Sequence, residues 1–164
     1  MKPYLCLILS VALLLCCVGC KSENREIIDP VSFYYRVRTD NQERVSSMID
    51  YEIRETTGFS DDMIGLLNVY LQGPESSAFI SPFPADVFVV SYETDHANVV
   101  ITLCSEFSQL SGVNLSIACA CITMTVSELT NCEQVSIIAE DALLDGSNMI
   151  TMHRNDLLLF DTAE

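Results

Sequence analysis

Val31-Ser32-Phe33-Tyr34-Tyr35-Arg36-Val37-Arg38 alternates residue by residue along its length. Successive side chains of a strand point to opposite faces, so Val31, Phe33, Tyr35 and Val37 form one apolar face. Ser32, Tyr34, Arg36 and Arg38 form the other, open to solvent. A second run, Met48 to Glu55, alternates in the same way, with Ile49, Tyr51 and Ile53 set against Asp50, Glu52 and Arg54. The polar stretch Thr39 to Arg44 joins the two runs into a hairpin with a loose loop. Strands with one buried face need a cover, and the rest of the chain must supply it.

Ser60-Asp61-Asp62 predicts the start of a helix, with Ser60 as the cap and the aspartates at the positive helix end. Met63, Ile64, Leu67, Tyr70 and Leu71 then fall on one helical stripe. Gly73-Pro74 stops it. Residues 75–86 hold Pro82 and Pro84 and read as a surface loop. Val87 to Tyr92 and Val99 to Leu103 read as paired strands around a polar turn, with Val99, Ile101 and Leu103 inward. A second, more apolar helix is predicted from Gly112 to Thr130, tight against a sheet. Gln134 to Glu140 alternates again, with Val135, Ile137 and Ala139 on one face. Asp145-Gly146 is a turn, and Leu157-Leu158-Leu159-Phe160 reads as an edge strand or a segment lying across the domain. The expected architecture is α+β: a two-layer sandwich of a mostly antiparallel sheet with two helices on one face.

Lys2 precedes an apolar stretch from Tyr4 to Val18, which is followed by Gly19-Cys20-Lys21-Ser22. That stretch has the length of a signal-peptide core and is shorter than the roughly 20 residues of a membrane span. Its Val-Gly-Cys end resembles the lipobox of bacterial lipoproteins, with Cys17 where leucine is usual. The resemblance implies cleavage before Cys20, whose sulfur then carries a diacylglycerol with palmitate-type chains. Two acyl chains anchor stably where one is marginal. An ordinary secreted protein and an uncleaved membrane helix are the other readings of these residues. The expected organisation is a signal peptide at 1–19, a tether at 20–29, one domain at 30–146 and an extension at 147–164.

The net charge of −15 argues against nucleic acid, whose phosphates would be repelled. It also argues against a surface lying flat on anionic lipid. Cys104, Cys119, Cys121 and Cys132 remain after the leader. They read as buried free thiols or as one disulfide, since Cys119 and Cys121 point to different faces of the predicted helix. His96 and His153 lie far apart and offer no zinc spacing. No metal and no cofactor is expected.

Three places in the sequence resemble the GerM domain of sporulation and spore-germination proteins. The first is Leu66-Leu67-Asn68-Val69-Tyr70-Leu71-Gln72-Gly73-Pro74. The second is Pro84-Ala85-Asp86 with the strands that follow it as far as Glu106-Phe107. The third is the long helix with Val135-Ser136-Ile137-Ile138-Ala139-Glu140 and Asp145-Gly146. The resemblance implies a non-catalytic domain, similar to ring-building modules, on the outer face of the cell membrane. Its partners would be the membrane through the lipid, other envelope or sporulation proteins, and further copies of this chain. A peptidoglycan- or solute-binding lipoprotein is the second expectation and an envelope hydrolase the third. No catalytic residue is assigned: no nucleophile elbow or phosphate loop is present, and Asp95-His96 reads as a solvated turn. Tyr34, Arg36 and Arg38, aromatic and basic on an open sheet face, form the candidate interaction surface.

Overall fold

The computed structural model describes residues 29–39, 47–56, 62–95 and 97–157. The strands divide into two sheets rather than one. The first contains β1 (Asp29–Val37), β2 (Ile49–Thr56) and β3 (Phe79–Ile80) in the order β2-β1-β3, all antiparallel. The second contains β4 (Val89–Asp95), β5 (Asn98–Leu103), β6 (Gln134–Ala139) and β7 (Ile150–His153) in the order β4-β5-β6-β7. Only the β5–β6 pair of the second sheet is parallel, because the long helix crosses between these two strands. The α+β class holds, with helices α1 (Met63–Leu71) and α2 (Gly112–Thr130).

Helix α1 is capped by Asp62, whose Oδ1 accepts the Gly65 amide at 2.8 Å, while Ser60 lies outside the described residues. It stops at Gly73, where φ is 104° and an added Cβ would sit 3.2 Å from the Ser81 Cβ. Both facts require glycine there. Helix α2 runs over the span the sequence predicts. It ends at Asn131, a left-handed residue (φ 57°) whose amide donates to the Ser127 carbonyl at 2.8 Å. Its start is held from a distance, as Asp145 Oδ2 accepts the Gly112 amide at 2.7 Å. Helix α2 is long and apolar enough to span a bilayer by length and composition. Here it contacts β1 of the first sheet and β6 and β7 of the second. That double contact explains the unbroken buried run from Ile117 to Ser127, which one sheet face alone would not need.

The polar edge of β1 shows why the first sheet is short. Strand β3 pairs only with Arg36 and Val37. Further along the same edge, the Tyr34 amide donates to Thr125 Oγ1 of α2 at 3.0 Å. The Tyr34 carbonyl accepts the Tyr70 hydroxyl of α1 at 2.8 Å. Side chains of the two helices thus satisfy the backbone groups that another strand would otherwise take. The Tyr35 hydroxyl returns the exchange by donating to the Tyr70 carbonyl at 2.8 Å.

Strand β2 departs from the sequence expectation beyond its first residue: Ile49 is buried as expected, but Tyr51 and Ile53 turn outward. Ile53 is 63% exposed and Tyr51 46%, whereas Arg54 is 8% exposed. The register places Arg54 opposite Val31, on the same face as Phe33 and Tyr35. Its guanidinium lies 5.1 Å from the Phe33 ring centre and 5.7 Å from that of Tyr35. It donates to the Gly73 carbonyl at 2.6 Å and to the Tyr35 hydroxyl at 3.2 Å, and it pairs with Glu52. Glu52 in turn accepts the amides of Glu75 at 3.0 Å and Ser76 at 2.9 Å. The pair therefore clamps the turn after α1 onto the sheet.

Burial pushes the Glu52 pKa up, but the two amides and Arg54 outweigh it and hold the carboxyl below its ordinary value of 4.5. A carboxyl lowered on folding stabilises the fold above its unfolded pKa, and that contribution is lost as pH falls through the lower folded pKa. Urea midpoints measured through the range below pH 4.5 should therefore fall less steeply in Glu52→Gln than in the wild type. Parallel curves would show that Glu52 carries none of this dependence.

The second sheet matches its sequence reading more closely. Val99, Ile101 and Leu103 are each 1% exposed. Strand β4 begins at Val89 rather than Val87 and continues to Asp95, so the turn is shorter than expected. Strand β7 forms the edge beside β6, contributed by residues before the Leu157 run, and Leu158 to Phe160 lie outside the described residues. Residues 75–86 are not all loop, since Phe79–Ile80 form β3.

Candidate functional site

The three residues of the expected interaction surface separate in the structure. Tyr34 is 7% exposed and does not belong to an open face. Its hydroxyl donates to Glu128 Oε2 at 2.7 Å, and its ring lies 5.4 Å from that of Tyr51. Helix α2 covers this face of β1, which is buried on both sides at that point. Burial raises the Tyr34 hydroxyl pKa, and the bond to Glu128 raises it further. Tyr34 is a packing residue that ties β1 to α2.

Arg38 is exposed but occupied. Its guanidinium donates to the Ser77 carbonyl at 2.9 Å and reaches the Phe79 carbonyl at 3.5 Å. It holds the approach to β3 against β1.

Arg36 is half-buried, and its side chain has no hydrogen-bond or ion-pair partner among the described residues. It lines an open cleft of about 320 Å³. The cleft lies where three chain segments meet. The stretch after β3 contributes Ser81, Pro82, Phe83 and Pro84. The 3₁₀ turn Ser105–Gln109 and the residue after it contribute Gln109 and Leu110. The first turns of α2 contribute Asn114 and Ile117. The register fixes the position of Arg36, because it pairs with Ile80 just before the chain turns into the cleft wall. Among the described residues, Arg36 is the one charged side chain in the lining. The opening turns of α2 add the positive end of a long helix to that wall.

Sequence reasoning found Arg36 but missed Ser81, Gln109 and Asn114. They come from distant segments and share no spacing that a pattern could detect. The prolines at 82 and 84 were the available signal, since a rigid turn between elements often walls a cleft.

Cys104, Cys119, Cys121 and Cys132 are all free and buried. Burial pushes the Cys119 thiol up to about 12 and raises Cys121 as well, with Cys119 beside it adding to the effect. Such thiols pack as small apolar groups and are poor nucleophiles. Asp145, in the predicted turn, accepts the first amide of α2, and His153 sits exposed at the end of β7. His96 and Cys20 lie outside the described residues.

The arrangement defines a class first: an α+β domain whose long helix is held between two sheets, with a cleft at one end of β1. It is further the fold of the GerMN domain. The tandem GerMN domains of the sporulation protein GerM from Bacillus subtilis match it with a TM-score of 0.59 at 18% identity, over 85% of this chain and 51% of that one. The first GerMN domain of the same protein matches with a TM-score of 0.53 at 11% identity, over 72% of this chain and 91% of that one. This chain thus spans about half the length of the tandem, consistent with 51% coverage. No protein-family model matches the sequence, and no curated protein matches it.

Proposed function

We propose that this chain is a lipid-anchored, extracytoplasmic GerM-like domain that mediates protein–protein or envelope assembly in sporulation or spore germination. The observation that carries the reading is the pairing of a GerMN fold with a leader ending in Val18-Gly19-Cys20. Cys20 is the lipidation site, residues 20–29 are the tether, and the domain works at the outer face of the cell membrane. It acts by presenting a surface to other envelope proteins or to further copies of itself, without catalysis.

Two outcomes test the anchor. Cys20→Ser should abolish labelling by a fatty-acid probe and move the protein out of the membrane fraction or leave it unprocessed. A variant that still takes the label and stays on the membrane overturns the assignment. For the biological role, native complexes captured during sporulation should contain the chain, and expression confined to vegetative cells would count against it. The cleft at Arg36 favours one second reading, a lipoprotein that binds a peptide or solute of the envelope.

A further inference from the structure

We propose that the Arg36 cleft binds the C-terminal carboxylate of a partner protein. This deepens the assembly reading by naming what the domain recognises.

The chain carries 23 acidic residues against 8 lysines and arginines, so its overall field repels anions. A half-buried guanidinium without a partner among the described residues stands against that background. Arg38 and Arg54 are both engaged by carbonyl or carboxylate oxygens. Arg36 is partly withdrawn from solvent with its donors unmet among the described residues, and a planar carboxylate matches its fork of donors.

Ser81, Gln109 and Asn114 offer hydroxyl and carboxamide groups that both donate and accept, as peptide amides require. Pro82, Pro84 and Leu110 add apolar surface to the same lining. A mixed polar and apolar lining suits an extended backbone with small side chains. A volume of about 320 Å³ lies at the lower end for ligand pockets and fits the end of a chain better than a folded element. The cleft is open to solvent, so the rest of the partner continues outward.

The test uses the full chain in detergent micelles and a dye-labelled Gly-Ala-Ala peptide, followed by fluorescence anisotropy. The free acid should bind, and the same peptide ending in an amide should bind about tenfold more weakly or worse, the loss of one charge-assisted contact. Arg36→Gln should weaken the free acid by a similar factor and remove the difference between acid and amide. Arg154→Gln removes the same charge from an exposed position outside the cleft and should leave binding unchanged. Asn114 is exposed, so Asn114→Trp should fill the mouth without disturbing the core and block binding independently of charge. Equal binding of acid and amide overturns the proposal, as does an Arg154→Gln loss equal to that of Arg36→Gln. So does absence of binding to the wild type at millimolar peptide. Tighter binding of a peptide ending in D-alanine moves the ligand to cell-wall stem peptides and overturns the partner-protein assignment. Failure of the Cys20→Ser test leaves these results standing, because binding in micelles does not depend on where the chain is anchored.

Discussion

Arg54→Ala should cost about 3–5 kcal/mol of folding stability and lower Tm by about 10–20 °C. The substitution removes a buried guanidinium from Glu52, the Gly73 carbonyl, the Tyr35 hydroxyl and the faces of two aromatic rings. What remains is a largely buried carboxylate supported by two amides of an exposed turn. Breaking a buried pair from one side is the expensive case, since the remaining charge has lost its main counterion. Arg54→Met keeps much of the volume and should recover the packing share of the loss, leaving the charge share. Combining Arg54→Met with Glu52→Gln should be less damaging than the two single losses added together, because the pair is removed as a unit. Urea unfolding of the wild type, the three single variants and the double variant measures each quantity. An Arg54→Ala loss below about 1 kcal/mol would place the pair among ordinary surface bridges.

Tyr70→Ala should be comparably severe, at about 3–5 kcal/mol, for a different reason. Tyr70 is 1% exposed and its ring lies 5.2 Å from Phe33, 5.1 Å from Tyr35 and 5.1 Å from Phe83. Truncation opens a cavity at the junction of α1 and the first sheet. Tyr70→Phe separates the packing from the hydroxyl. It keeps the ring and removes the hydroxyl's bonds, to the Tyr34 carbonyl and with the Thr125 side chain, with an expected loss of about 1–3 kcal/mol for buried polar groups left without their partner. The Tyr35 hydroxyl bonds to the Tyr70 backbone and survives both changes. If Phe costs as much as Ala, the hydroxyl rather than the packing holds the junction.

These residues also mark what a linear reading resolves. The boundaries of α2 were legible because its stop chemistry is local and its apolar positions are dense from Leu115 to Leu129. Period two likewise identified β1, β2, β5 and β6 as strands. What alternation leaves undecided is which face of a strand turns inward when both faces carry large side chains. In β2 the apolar choice is Ile49, Tyr51 and Ile53, and the structure buries Ile49 but turns the other two outward, with Glu52 and Arg54 inward. The reason lies outside the strand, in two aromatic rings of β1 and a carbonyl at the end of α1. An opposite-charge pair two residues apart on one strand face was the local hint.

Tyr34 fails for a related reason. Its face is open with respect to the first sheet, and α2 arrives from 91 residues away to cover it. The division into two sheets follows from the same long-range event, because Thr125 and Tyr70 occupy the edge where strands would otherwise continue. Strand β3 has two residues inside a proline-rich segment, too short for any period to register. The cleft is the least legible feature. Arg36 was visible as a basic residue on a strand, but its neighbours are assembled only by tertiary packing.

The fastening of β1 has a mechanical meaning. Its backbone is gripped on one edge by eight register pairs with β2 and on the other by β3, Thr125 and Tyr70. A pull transmitted along the chain into Asp29 enters parallel to that strand. Tension along its axis strains many bonds together instead of opening them one after another. The domain should therefore resist a tug from its N-terminal side better than one delivered through β7, an edge strand of four residues held on one side by β6.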